Sequence, residues 1–253
     1  MSLPDVVSRE EWLVARRELL AQEKEYTRRR DALNTARRNL PMVKVEKAYR
    51  FEGPTGIVGL PDLFAGRRQL VVQHFMFDPT WDDGCAGCTA GVDELAPGLL
   101  GHLASRETSF ALVSRAPFAK LERYRAAHGW TVDWYSSHGT DFNYDFHATV
   151  DQAVAPILFN YRDADALVGT TQEWVIQSEH HPIETAGFSC FLRDGDDVFH
   201  TYATFGRGTE QVGGAYGFLD LTVLGRQEDW EEPRGRTTEP GRADPSFGGG
   251  IAA

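Results

Sequence analysis

The stretch His74-Phe75-Met76-Phe77-Asp78-Pro79-Thr80-Trp81-Asp82-Asp83-Gly84-Cys85-Ala86-Gly87-Cys88 decides how the chain is read. It starts inside an apolar run, Leu70 to Phe77, rich in β-branched and aromatic residues, as a central strand buried on both faces requires. A loop rich in Pro, Asp and Gly follows and delivers two cysteines spaced C-x-x-C. From Cys88 to about Ser105, Val92, Leu95, Leu99, Leu100 and Leu103 recur at helical spacing, and Pro97 is expected to kink or divide that helix near Glu94. A cysteine at a helix N-terminus lies near the positive end of the macrodipole and near unpaired N–H groups, which favours thiolate over thiol. Cys85 holds that place and is expected to be the attacking sulfur. Cys88, one turn further in, is expected to be more buried and to resolve the mixed disulfide. Asp82 and Asp83 are expected to oppose the Cys85 thiolate and leave it moderately activated. Trp81 offers an apolar ledge for a disulfide substrate.

Working outward, Val43 to Lys47 alternates as a strand that Tyr49 to Phe51 continues, and Gly53-Pro54-Thr55-Gly56 is a turn before a short strand at Ile57 to Leu60. Pro61 to Gly66 suits a short helical turn. Beyond the central helix, Thr108 to Ser114 is a strand, Pro117 to Gly129 a helix, and Thr131 to Ser136 a further strand. Residues 70–136 therefore read β-α-β-α-β, which implies parallel pairing with right-handed crossovers. Residues 137–186 carry four histidines and no clean period. They read as an inserted, mostly irregular excursion, with a short strand at Trp174 to Ile176. Asp194-Gly195 between two aromatic-rich runs, Gly187 to Arg193 and Val198 to Phe205, signals a hairpin. Tyr216 to Leu224 is apolar and fits strand or helix. From Glu231 onward, five Gly and three Pro with few apolar residues predict a disordered tail.

At the other end, Ser8-Arg9-Glu10-Glu11 reads as a capping box. Trp12, Leu19, Tyr26, Leu33 and Leu40 recur every seven residues and predict a helix from about 8 to 38, closed by Pro41. Nine Arg/Lys and six Asp/Glu between Arg9 and Arg38 cover its other faces. Gln22 and Arg29 interrupt any second apolar seam, so a helix packed on its own domain is preferred to a coiled coil. A homodimer through residues 8–38 is the alternative.

The composition bounds the function. With 253 residues, 42% of them hydrophobic and 25% charged, the chain reads as a globular protein of one large or two small domains. A net charge of −11 argues against a nucleic-acid partner. No apolar run approaches membrane-spanning length, and Met1 to Glu10 holds no secretory signal, so no membrane partner and a cytoplasmic address are expected. Three cysteines are too few for a disulfide scaffold, which in a reducing compartment points a C-x-x-C pair toward redox chemistry or metal binding.

The segment from Tyr49 through Cys88, with Gly59-Leu60-Pro61-Asp62-Leu63-Phe64 ahead of the apolar strand and the cysteines, resembles the first half of a thioredoxin-like or peroxiredoxin domain. More narrowly, three motifs resemble a bacterial family of unknown function often labelled predicted dithiol-disulfide oxidoreductases. They are His74 to Phe77 with Trp81 to Cys88, Phe191-Leu192-Arg193-Asp194-Gly195-Asp196 leading to Val198 to Tyr202, and Leu219-Asp220-Leu221-Thr222. The resemblance implies an α/β thioredoxin-like domain, peroxiredoxin-related, over about 42–230, with an N-terminal helical arm at 1–41 and an insertion near 137–186. Its activity would be thiol-disulfide exchange at Cys85 and Cys88, with no organic cofactor and no resident metal. Its partners would be a protein or small-molecule disulfide and an external reductant. Two features differ from those relatives. Ala186 to Cys190 lacks the proline that thioredoxins carry beside the site, the nearest being Pro182. Pro79, Thr80 and Cys85 do not match the peroxidatic P-x-x-x-T-x-x-C spacing.

Two further readings stand beside the redox one. Two thiolates supply half of a zinc or copper(I) site, with Cys190, His74, His138, His180, His181 and His200 as candidate partners. A non-catalytic interaction domain assembled through the arm is the other. Cys190, in an apolar strand, reads as a small buried hydrophobe or a second resolving thiol.

Overall fold

The computed structural model describes residues 5–228 and 230–233. Helix α1 (Arg9–Arg38) begins at the expected capping box: the Ser8 hydroxyl accepts from the Glu11 N–H, and the Glu11 carboxylate accepts from the Ser8 backbone. Strands β1 (Val43–Lys44), β2 (Arg50–Gly53) and β3 (Gly56–Gly59) lead through a 3₁₀ turn (Leu60–Phe64) to β4 (Gln69–His74). Helices α2 (Ala86–Asp93) and α3 (Leu99–Ala104) connect β4 to β5 (Thr108–Ser114), and α4 (Phe118–His128) connects β5 to β6 (Trp134–Ser136). The central helix is thus divided, as Pro97 requires, and its first segment starts two residues before Cys88.

The main sheet has eight strands, and its middle is fixed by sequence pattern. All six residues of β4 and all seven of β5 are buried, so both faces must be covered. Side-chain alternation in β4 sends Leu70 and Val72 into one core with Phe51, Phe64, Phe142 and Phe191, and Val71 into another with Phe75, Leu121, Trp134 and Phe218. Strands β4, β5 and β6 are parallel, as the two helical crossovers demand.

Residues 137–186 are not a structureless excursion. They form α5 (Phe142–Asp145), β7 (Thr149–Val150), β8 (Leu158–Phe159), β9 (Arg162–Asp163), α6 (Ala164–Leu167), α7 (Trp174–Gln177) and β10 (Ile183–Glu184). These short pieces bury Val150, Ile157, Leu167, Val175 and Ile183 in a core of their own. The strand expected at Trp174 to Ile176 is instead a helical turn, in which the adjacent Val175 and Ile176 both pack on that core while Trp174 faces out. The hairpin β11 (Gly187–Asp194) and β12 (Asp197–Phe205) forms at Asp194-Gly195 as expected, and α8 (Gly214–Leu219) settles the Tyr216 region as helix up to Leu219.

The strand order is β1-β12-β11-β4-β5-β6-β2-β3. Its central part, β12-β11-β4-β5, has β4 parallel to β5 and β11 antiparallel to both β4 and β12, with helices after β4 and after β12. That is a thioredoxin-like α/β sheet with flanking helices and a long N-terminal helix. The Tyr49 to Phe51 segment does not continue β1. The two strands lie on opposite sides of the sheet, β1 against β12 and β2 between β6 and β3.

The expected packing of the α1 stripe on its own domain does not occur. Trp12, Leu19, Tyr26 and Leu33 remain about half exposed, between 49% and 58%. The helix is held at its C-terminal end instead. Arg38, 3% exposed, pairs with Glu231 at 3.0 Å and donates to the Glu232 carbonyl at 2.7 Å. Glu231 and Glu232 are therefore ordered, contrary to the tail expected from Glu231; residues 234–253 lie outside the described residues. Among the described residues, no helix is long and apolar enough to cross a membrane.

Candidate active site

The strand-to-helix turn that carries the cysteines is pinned from several sides. The Cys85 N–H donates to the Met76 carbonyl at 3.0 Å. Asp78 closes a turn by accepting from the Thr80 N–H and hydroxyl at 2.8 and 2.6 Å. Gly84 has to be glycine because a Cβ there would come within 2.7 Å of the Phe75 ring. Cys85 is the N-cap of α2, and its carbonyl accepts from both the N–H and the hydroxyl of Thr89 at 2.9 Å. The Thr89 hydroxyl also bonds Tyr124 at 2.9 Å, tying α2 to α4.

Cys85 is half-buried, Cys88 is 6% exposed, and both are free thiols. The Cys88 thiol donates to Cys85, which is the largest influence bringing the Cys85 pKa down to about 6. Burial opposes it, and the backbone N–H groups of Cys88 and Gly87 add to the lowering. The same hydrogen bond raises Cys88 far above a normal thiol, with burial next in importance. Asp82 and Asp83 are exposed and are not among the groups that shift Cys85. The expected opposition from their charges is replaced by a desolvation penalty.

A cavity of about 540 Å³ opens beside the pair, between α2 on one side and the start of β11 and of α8 on the other. Cys85, Cys88 and Gly187 line it. Gly187 allows β12 to approach, since a Cβ there would lie 2.3 Å from the Phe205 ring. Trp81, 38% exposed, is not among the lining residues; its carbonyl accepts from Lys120.

The remaining sequence candidates fall elsewhere. His74 is 1% exposed and bonds the Ser189 hydroxyl through Nε2 at 2.8 Å, and burial lowers its pKa to about 3. His200 is lowered to about 4, again chiefly by burial. Cys190 is fully buried in β11 and shares a core with Cys88, and its burial pushes the thiol up. Among the described residues, no three His, Cys, Asp or Glu side chains gather as a metal would need. His180 lies in a bend and His181 in irregular chain just before β10, and the His181–Pro182 peptide is cis.

One part of the site was invisible in the sequence. Arg115, just beyond β5, pairs with Asp78 of the cysteine loop and with Glu184 of β10, the latter at 2.5 Å. All three side chains are at most 12% exposed. Thr149 donates to Glu184 at 3.0 Å, and burial raises the Glu184 pKa against the pull of Arg115. This network clamps the 137–186 segment to the loop that positions Cys85. Glu184 also adds to the raising of Cys88. The only sequence signal was an arginine directly after a buried strand, because the partners are 37 and 69 residues away.

Residues 1–241 match the family described as "Bacterial protein of unknown function (DUF899)". No curated protein matches the chain. Among solved structures, Xanthomonas campestris Peroxiredoxin Q is similar at 13% identity and a TM-score of 0.38, over 62% of this chain and 78% of that one. The bacterioferritin comigratory protein of the same organism, which has alkyl peroxide reduction activity, gives 13% and 0.37, over 62% and 79%. A putative protein disulfide isomerase from Bacteroides thetaiotaomicron gives 17% and 0.29, over 40% and 65%. The fold assignment rests on strand order rather than on these likenesses.

Proposed function

We propose that this chain, which belongs to the bacterial family of unknown function DUF899, is a thiol-disulfide oxidoreductase working through a Cys85/Cys88 dithiol. The observation that carries the reading is the asymmetry of the pair. A half-buried thiol at a helix N-terminus is brought to about 6 while its buried partner is pushed the other way. At neutral pH, Cys85 is mostly thiolate and attacks one sulfur of a substrate disulfide, expelling the other as thiolate. Cys88 then gives up its proton and attacks the Cys85 sulfur, closing the protein disulfide and releasing the second substrate thiol. An external dithiol returns the protein to its starting state. Trp81, on the loop just ahead of Cys85, serves as an apolar ledge for the larger disulfides.

The test is a thiol count with metal analysis on one sample. Free thiols are counted on the denatured protein, purified without reductant, before and after dithiothreitol treatment. Two additional thiols after reduction, mapped to Cys85 and Cys88, support the proposal. Three thiols throughout, even after challenge with a disulfide, contradict it. Stoichiometric zinc or copper that is lost in Cys85→Ser favours the metal-binding reading instead.

A further inference from the structure

The cavity beside Cys85 has features that the redox chemistry alone does not require. Helix α2 is only eight residues long, yet it turns two glycines, Gly87 and Gly91, toward the cavity. Neither has a positive φ, and neither is forced by close packing. A Cβ on Gly91 would meet only the Gln73 amide nitrogen at 4.0 Å, and one on Gly87 only the Cys85 sulfur at 3.9 Å. Glycine weakens a helix interior, so its use here, where a larger side chain would fit, keeps space open beside the sulfur.

A second observation is independent of the first. Gln73, 8% exposed, lines the same cavity, and its side-chain amide has no hydrogen-bond partner among the described residues. The His74 ring lies on the other face of the sheet, against Phe142 and Phe205, and takes no part in the cavity. Polar groups in the interior are ordinarily paired, so a mostly buried amide left without a protein partner at a cavity wall points to an occupant that pairs it. The charge at the cavity points the same way. Glu94 and Glu210 line it and, among the described residues, no Lys or Arg does, Arg207 reaching Glu210 from outside at 3.2 Å.

We infer that this cavity binds an uncharged low-molecular-weight disulfide, with a carboxamide or alcohol on a short apolar body, and presents its S–S bond to Cys85. The volume lies in the range of small-molecule sites. The Gln73 amide both donates and accepts, which matches a carboxamide, whereas a carboxylate substrate would face two glutamates and no cation. The inference rests on the proposed redox role of Cys85. In the reaction the Cys85–sulfur bond forms as the substrate S–S bond breaks. Two electrons pass from the dithiol to the substrate, and the two thiol protons end on the two released thiols. An added dithiol such as dithiothreitol regenerates the protein.

The experiment compares two probes on the reduced full chain in single turnover: N,N′-diacetylcystamine, an uncharged bis-amide, and 3,3′-dithiodipropionate, a dianion. Each rate is divided by that of the same disulfide with free dithiothreitol, which removes intrinsic reactivity. The amide is expected to lead by about tenfold or more, the scale at which a polar pocket discriminates. Gly91→Leu, which fills the cavity, and Gln73→Leu, which removes the amide, should each bring the ratio to within about twofold of unity; circular dichroism confirms that each variant is folded. Equal normalised rates in the wild type, or an unchanged ratio in both variants, overturn the cavity assignment and leave the redox role standing. Failure of both probes to oxidise Cys85 overturns the redox role itself.

Discussion

Replacing Cys88 by alanine should move the titration of Cys85 upward. The Cys88 thiol is the largest influence bringing Cys85 from an ordinary 9.0 down to about 6. A hydrogen bond to a charged group contributes about 1.5–3 kcal/mol, and one pKa unit corresponds to about 1.4 kcal/mol. Loss of that donor should therefore raise Cys85 by roughly one to two units. At pH 7 the thiolate fraction then falls from roughly nine-tenths to about a quarter for a shift of 1.5 units. The rate at a single pH is a poor readout, because intrinsic nucleophilicity rises with pKa and offsets part of the loss. The assay is the full pH profile of alkylation by iodoacetamide, with thiolate absorbance as an independent check. Cys88→Ser keeps a hydroxyl donor and should shift the midpoint less than Cys88→Ala. The double replacement Asp82→Asn, Asp83→Asn should leave it in place. A midpoint that stays within about 0.3 units in Cys88→Ala, or one that falls when the aspartates are neutralised, would refute this account of the pair.

Other consequences are as direct. His74 and His200, held neutral at about 3 and 4, bind protons more weakly folded than unfolded, so stability is full above the ordinary histidine pKa of 6.5 and falls as pH drops below it. Each should contribute a slope of about 1.4 kcal/mol per pH unit between roughly pH 6 and 4.5, and urea unfolding of His200→Gln should show one such contribution removed. Arg115→Met leaves Asp78 and Glu184 buried without their cation and should cost about 3–5 kcal/mol; a loss under about 1 kcal/mol in denaturant titration would show that the clamp is not structural. Gly84→Ala drives a methyl into Phe75 and should cost about 1–3 kcal/mol. Leu19→Glu with Tyr26→Glu should lower unfolding stability by less than about 1 kcal/mol at low protein concentration, because both positions are half exposed. Sedimentation of the same pair of chains decides the assembly question: a mass that halves in the variant supports dimerisation through α1, and equal monomer masses contradict it.

Sequence reading reached the sheet because its middle is governed by local rules. The run at 70–77, apolar except for Gln73 and His74, reads as a strand buried on both faces, and the two following helices forced parallel pairing. The Asp194-Gly195 hairpin and the Ser8 capping box are equally local devices. Where reading failed, the deciding interaction was distant or the periodicity misleading. The seven-residue stripe of α1 looked like a buried face, yet the helix is held at its C-terminal end, where Arg38 pairs with Glu231 and donates to the Glu232 carbonyl, contacts that no spacing rule reveals. The 137–186 segment looked irregular because its elements are only two to four residues long, too short to show a period. At the site, Cys85 and Cys88 were legible from their spacing and place on a helix. What sets their acidity was misread: the aspartates near in sequence are exposed and are not among the groups that shift Cys85, and the thiol of Cys88 and the desolvation of burial act in their place. Gln73, Gly87 and Gly91 gave no signal of their own, because a cavity belongs to the assembled fold.

If Cys85 attacks and Cys88 resolves, removing the resolving thiol leaves the mixed disulfide trapped on Cys85. The Cys88→Ser chain is mixed with N,N′-diacetylcystamine, quenched in acid and digested for mass analysis beside the wild type. A persistent mixed disulfide on Cys85 is expected in the variant, and in the wild type a Cys85–Cys88 disulfide with no lasting adduct. An adduct carried on Cys190, or a Cys85 that stays an unmodified thiol in both chains, would contradict that division of roles.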